Sequence, residues 1–167
     1  MIILVKLDIV FDIFNRFKRM PKCHRLRRFP FLSFHRKCCE EAAIGDKRRA
    51  DYVVINVEAM KKSVLIHPVT LLELAELETR LAEPDRIDPG EKHLLAHAMK
   101  KAAAVWHVSA SDRAAVKAGS ELGLLDKFVS LEALARVVGM SPQLKQHFTE
   151  KWLGVVRTEI LMGGARV

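Results

Sequence analysis

The chain has 167 residues, half of them hydrophobic, and a formal net charge of +8. This length predicts one domain with a hydrophobic core of its own. No uninterrupted hydrophobic run reaches the roughly 18 residues that a membrane-spanning helix needs, so we expect no membrane segment. Cys23, Cys38 and Cys39 form no paired metal-ligand pattern, and we interpret them as the reduced thiols of a cytoplasmic protein.

The positive charge is confined to the first part of the chain. Residues 1–50 hold 13 Lys and Arg against 5 Asp and Glu, whereas residues 51–167 hold 15 of each. We therefore predict three segments. A basic N-terminal segment, with a candidate strand at residues 2–12, occupies residues 1–50. An α/β core follows over 51–141, and a C-terminal amphipathic helix over 142–167.

The segment Asn15–Lys37 has nine basic residues, no acidic residue and four interleaved Phe. One interpretation is a surface that binds the backbone of single-stranded nucleic acid through residues such as Arg25, Arg27 and Arg28 and stacks its bases on Phe. A second is a basic arm whose Phe side chains pack on the core. A third is that the segment is not native to the fold, through a displaced start or a frame error.

The sequence pattern becomes regular from Asp51 onward. Ser63–His67 is predicted to be a short buried strand. Thr70 and Glu73 have capping-box spacing, which predicts a helix that runs to about Ala82. A second helix is predicted from Gly90 to about Ala103.

The same alternation continues through the second half of the chain. Val105–Ser109 is predicted to be a strand, followed by a helix that Ser111 or Asp112 caps and that ends before Gly123. A closing strand is predicted at Lys127–Ser130, followed by a helix Leu131–Val138 that Ser130 caps and Gly139 ends. A last helix is predicted from Pro142. Its hydrophobic stripe consists of Phe148, Trp152, Val155, Val156, Ile160 and Leu161. Strands alternating with helices predict a three-layer α/β/α fold with a central, mostly parallel sheet.

Acidic residues follow the predicted strands. Glu73 and Asp112 come after strand ends, and Glu91 lies in the first turn of a helix. Ligands bind beyond the carboxyl ends of the strands in an open α/β sheet. Converging carboxylates favour Mg²⁺ or Mn²⁺, whose charge relieves their mutual repulsion. Each acid also has a structural interpretation as a helix cap or a first-turn residue.

Residues 64–138 resemble the PIN domain family. The resemblance rests on four passages: Val64–Leu74, Gly90-Glu91 with the helix after it, Val108–Ala115, and Leu122–Glu132. It implies a metal-dependent endoribonuclease that cleaves single-stranded RNA, with Asp8, Glu73, Glu91 and Asp112 as metal ligands and catalytic residues. It also implies a toxin with an antitoxin partner. Ser109, Ser111 and Lys117 are expected to contact RNA near a helix start.

The first-strand motif departs from the family pattern. The family places a small polar residue and then Asn or Ser after its first Asp, whereas Ile9 and Val10 follow Asp8 here. An alternative function is therefore a catalytically inactive PIN-like module that binds RNA or a protein. A further alternative is self-association as a homodimer through the C-terminal helix. His93 and His97 have the spacing of paired zinc ligands, but we interpret them as surface or partly buried histidines.

Overall fold

The computed structural model describes residues 2–5, 32–35, 65–100, 106–137, 139, 141 and 143–163. Five α-helices lie within these ranges. They are α1 Leu71–Arg80, α2 Pro89–Met99, α3 Arg113–Glu121, α4 Leu131–Val137 and α5 Glu150–Leu161. Short 3₁₀ turns occur at Pro84–Arg86, Leu125–Lys127 and Gln146–Phe148. No helix in the described ranges has the length and hydrophobicity to cross a membrane.

The described strands are short. They are β1 Ile2–Val5, β2 Leu32–His35, β3 Leu65–His67 and β4 Trp106–Ser109. They pair in parallel in the order β3-β2-β1-β4. In the β1–β4 pair, Val5 lies opposite Ser109, so these two strands end side by side.

The predicted three-layer α/β/α fold is wrong. From residue 65 onward, 64% of the described chain is helical, and that part holds two short strands that do not pair with each other. The predicted closing strand Lys127–Ser130 is instead a 3₁₀ turn followed by an isolated bridge between Val108 and Phe128. A short hydrophobic run looks the same in sequence whether it is a strand or a buried turn, and this ambiguity led to the error. The described part is mostly helical.

Side-chain caps begin the helices where the sequence predicts them. The Thr70 hydroxyl accepts a hydrogen bond from the Glu73 N–H, and the Glu73 carboxylate accepts one from the Thr70 N–H, which completes the capping box of α1. Asp112 caps α3, and the Ser130 hydroxyl accepts from the Ala133 N–H at the start of α4. Gly123 and Gly139 follow α3 and α4 with positive φ, a conformation that favours glycine.

One hydrophobic core joins the helices to β4. Its most deeply buried side chains include those of Leu77, Leu95, Val108, Val116 and Phe128. Helix α2 packs against α1, β1 and β2, and α5 packs against α3 and α4. The stripe predicted for the helix from Pro142 is only partly confirmed, because α5 begins at Glu150 and Phe148 lies in the 3₁₀ turn before it. Phe148 and Val156 are buried and Trp152 and Ile160 are half-buried, but Val155 and Leu161 are exposed and Leu153 is buried in their place.

Arg157 connects α5 to the turn after α3. Its guanidinium Nη2 donates hydrogen bonds to the backbone carbonyls of Leu125 and Phe128, at 3.2 Å for Leu125. A hydrogen bond from a charged donor contributes roughly 1.5–3 kcal/mol. The C-terminal helix thus holds the turn that carries Phe128 in place.

Candidate metal and RNA site

Glu73 joins the start of α1 to the end of α2. Its Oε2 accepts a hydrogen bond from the Thr70 hydroxyl at 2.9 Å, and its Oε1 lies 2.7 Å from Nζ of Lys100, the residue after α2. Because α1 packs against α2, this ion pair adds a polar contact between the two helices. The structure therefore gives Glu73 the capping role that its sequence position predicts, with a lysine as its counter-ion.

The Lys100 ammonium and the Thr70 donors lower the pKa of Glu73 from 4.5 to about 2. A carboxyl group with a lowered native pKa stabilises the fold above its unfolded pKa, and that contribution is lost as the pH falls from 4.5 towards 2. We expect Lys100→Met to return the pKa towards 4.5, as measured by NMR titration of the Glu73 side-chain carboxyl. Lys92→Met is the matched control, because Lys92 pairs with Glu78 instead. An unchanged Glu73 pKa in Lys100→Met would contradict this assignment.

Glu91 is buried inside the protein at the start of α2. Its side chain is 1% exposed, and α2 packs against both β1 and β2. A negative charge is favoured in the first turn of a helix by the helix dipole. Burial of a carboxylate nevertheless costs free energy, so such a residue is retained only where partners compensate it. This position makes Glu91 the most deeply buried of the described acidic residues.

Asp112 lies three residues beyond β4 and caps α3. Its Oδ1 accepts a hydrogen bond from the Ala114 N–H at 2.6 Å, and its side chain is half-buried. Asp8 lies three residues beyond Val5 in the sequence but falls outside the described residues. The two aspartates therefore follow paired strands by the same number of residues, since Val5 lies opposite Ser109.

The described residues do not by themselves form a metal centre. Among them, no three or more His, Cys, Asp and Glu side chains are grouped closely enough to hold one ion. Glu73, Glu91 and Asp112 thus have the oxygen chemistry that suits Mg²⁺ or Mn²⁺, but they do not make such a group without another ligand. The four-carboxylate site with Asp8 stays a prediction.

The residues expected to contact RNA differ in accessibility. Ser109 is fully buried, Ser111 is half-buried, and Lys117 is exposed on α3. A contact between RNA and the Ser109 hydroxyl would require the end of β4 to open. The predicted contacts at Arg25, Arg27 and Arg28 lie outside the described residues.

A pocket of about 200 Å³ lies between the loop after α1 and one face of α3. Its charged residues are Glu83, Arg86, Arg113, Lys117 and Glu121, and its hydrophobic lining consists of Ile87, Ala114 and Ala118. Among them, only Lys117 is predicted from the sequence to contact RNA. The spacing of Arg113, Lys117 and Glu121 places them on one helix face, but nothing in the sequence indicates that Arg86 lies opposite.

The chain matches no family model, and no curated protein or solved structure matches it either. The resemblance to the PIN family and the antitoxin and homodimer partners therefore stay predictions.

The paired histidines of α2 do not share one environment. The His97 ring stacks on the His67 ring at the end of β3, with ring centres 4.4 Å apart and planes at 22°. His93 Nδ1 lies 2.6 Å from the carbonyl oxygen of Pro89. The contact between His67 and His97 joins β3 to α2, and the spacing of His93 and His97 alone does not reveal it.

Proposed function

We propose that this protein is a metal-dependent ribonuclease that cleaves single-stranded RNA with Mg²⁺ or Mn²⁺. The observation that supports the proposal best is the parallel pairing of β1 with β4. Each of these strands is followed after three residues by an aspartate, Asp8 in one case and Asp112 in the other. Two adjacent strand ends that each lead to a carboxylate favour a site for a divalent cation.

Glu91 supplies a third carboxylate to this proposal. It lies in the first turn of α2, and α2 packs against β1, the strand that precedes Asp8 in the sequence. A bound divalent cation would lower the pKa of a water molecule and offset the charge that develops on the phosphodiester. The role of the protein is then to hold the carboxylates and to orient the RNA.

Glu73 has a different part in the proposal. Its two carboxylate oxygens already contact Lys100 and Thr70, so a cation at Glu73 would have to displace the Lys100 ammonium. We therefore assign the cation primarily to Asp8, Glu91 and Asp112. Glu73 would hold α1 against α2 and would become a ligand only when Lys100 moves away.

The test is cleavage of single-stranded RNA by the full chain with Mg²⁺ or Mn²⁺. We expect Asp112→Asn and Glu91→Gln each to lower the cleavage rate by about 100-fold or more, because metal ions supply several kcal/mol of charge stabilisation in such reactions. Asn caps a helix as well as Asp does, so Asp112→Asn should leave α3 intact. Glu76→Gln, at an exposed ion pair with Arg80, is the matched control and should keep the full rate.

Binding of Mn²⁺, followed by electron paramagnetic resonance, gives a second measurement on the same variants. We expect Asp112→Asn to weaken Mn²⁺ binding and Glu76→Gln to leave it unchanged. Cleavage that continues at the full rate in both Asp112→Asn and Glu91→Gln would reject the ribonuclease proposal.

A second candidate function is RNA binding without cleavage. Two observations favour it: the described residues contain no metal-holding group of three side chains, and Lys100 neutralises Glu73. A binding module of this kind would retain RNA in the presence of EDTA, and its affinity would fall steeply with salt because phosphate contacts release counterions. RNA binding with no cleavage in either Mg²⁺ or Mn²⁺ would select this function.

A further inference from the structure

The pocket between the loop after α1 and helix α3 has the composition of a site for an anion with a hydrophobic part. Three cationic side chains and two carboxylates line it, so its net charge is positive. Ile87 and Ala118 are buried and, with half-buried Ala114, provide a hydrophobic surface between the charges. The combination of cations with a hydrophobic surface fits a nucleotide better than a free inorganic anion.

The cations of the pocket are available to exchange partners. Lys117 Nζ lies 2.9 Å from the Glu83 carboxylate, Arg86 pairs with the same carboxylate at 3.4 Å, and Arg113 pairs with Glu159 of α5. The side chains of Arg86, Arg113 and Lys117 are 72%, 61% and 52% exposed. Exposed ion pairs contribute little to stability because solvent screens them, so a phosphate could replace a carboxylate at little cost.

The two carboxylates of the pocket are held by the protein itself. Glu121 Oε2 accepts a hydrogen bond from the Ala82 N–H at 3.0 Å, which connects α3 to the loop after α1. Glu83 lies between Lys117 and Arg86, and the Lys117 hydrogen bond lowers the pKa of its carboxyl. Glu83 therefore stays ionised and occupies the position that a ligand phosphate would take.

The volume limits what the pocket can hold. Pockets for drug-sized ligands measure roughly 300–1,000 Å³, whereas this one measures about 200 Å³. The occupant is then a small molecule or a single unit of a polymer. Arg113 follows Asp112 directly, so the pocket begins next to the aspartate that we assign to the cation.

We infer that this pocket binds one nucleotide of single-stranded RNA, with the base against Ile87, Ala114 and Ala118 and the phosphate at Arg86 and Lys117. The inference rests on the proposed function, because it names the part of the RNA that lies beside the proposed cleavage site. The selectivity of the protein for RNA would then depend on the loop after α1 and on α3, and not on the basic N-terminal segment alone.

Binding of a fluorescent single-stranded RNA to the full chain in EDTA, followed by anisotropy, tests the inference without cleavage. We expect Arg86→Gln with Lys117→Gln to weaken binding about tenfold and to reduce the salt dependence, because each lost phosphate contact removes about 0.7 from the slope of log affinity against log salt. Glu83→Gln should strengthen binding, since it removes the carboxylate that competes with the phosphate. The double variant with Arg136→Gln and Lys151→Gln is the matched control, because both residues are exposed and neither lines the pocket.

Ala114→Met tests the hydrophobic part of the pocket separately. It leaves the charge unchanged and fills the space, so binding should weaken while the salt slope stays the same. RNA affinity that is unchanged in both the Arg86/Lys117 double variant and Ala114→Met would overturn the inference. Because this assay needs no metal, its result is distinguishable from that of the cleavage test. The pocket variants could leave RNA affinity unchanged while metal-dependent cleavage persists, or cleavage could be absent while the pocket binds RNA.

Discussion

Phe128→Ala is expected to lower the free energy of unfolding by about 3–5 kcal/mol, the range measured when buried Phe residues are truncated. Phe128 is 1% exposed and is one of the largest fully buried side chains among the described residues. Its ring lies against Gly119 of α3, and its backbone forms the bridge with Val108. Loss of the ring would leave a cavity between α3 and β4 that rigid neighbours cannot fill.

Urea denaturation followed by circular dichroism measures this loss. Leu161→Ala is the matched control, because Leu161 is 75% exposed and its truncation should change stability by no more than about 0.5 kcal/mol. A loss of less than 1 kcal/mol in Phe128→Ala would show that the ring does not fill the core as the structure describes.

Gly119→Ala is expected to destabilise the protein by about 2 kcal/mol, although alanine is the better helix former. A Cβ at position 119 would lie 2.2 Å from Cε2 and 2.5 Å from Cζ of Phe128, far inside van der Waals contact. Overpacking of this kind costs typically 1–3 kcal/mol or more, which exceeds the roughly 1 kcal/mol that alanine gains in helix propensity. Thermal and urea unfolding would measure the difference.

Gly154→Ala is the matched control for this prediction. Gly154 is also inside a helix, but it is exposed, and an added Cβ would meet no atom within 4 Å among the described residues. We expect Gly154→Ala to raise stability by about 0.5–1 kcal/mol. The combination of Gly119→Ala with Phe128→Leu should recover part of the loss, because a smaller side chain makes room for the methyl group. Equal stabilisation by both glycine substitutions would refute the close packing of Gly119 on Phe128.

The helix starts could be predicted from the sequence because their signals are local. Thr70 with Glu73, and Asp112 before α3, fulfil the capping patterns within three residues of each other. The fold class could not be predicted in this way. Lys127–Ser130 is hydrophobic enough for a strand, but its conformation depends on Arg157 and Val108, which lie far away in the sequence. A local pattern contains no information about such partners.

In the candidate site too, local features could be predicted from the sequence and long-range contacts could not. The positions of Glu91 and Asp112 at helix starts follow from the sequence and are confirmed. The counter-ion of Glu73 and the arrangement of Arg86 opposite Lys117 require the packing of α1 on α2 and of the loop on α3. These contacts join residues that are distant in sequence, and the spacing of charges along one helix does not indicate what the facing segment contributes.

The two hydrogen bonds from Arg157 have a consequence for the order in which the chain folds. During synthesis the carbonyls of Leu125 and Phe128 leave the ribosome well before their donor does. The turn after α3 therefore lacks these two hydrogen bonds until about thirty more residues have been translated. Contacts of this long range slow folding because the connecting chain must close first.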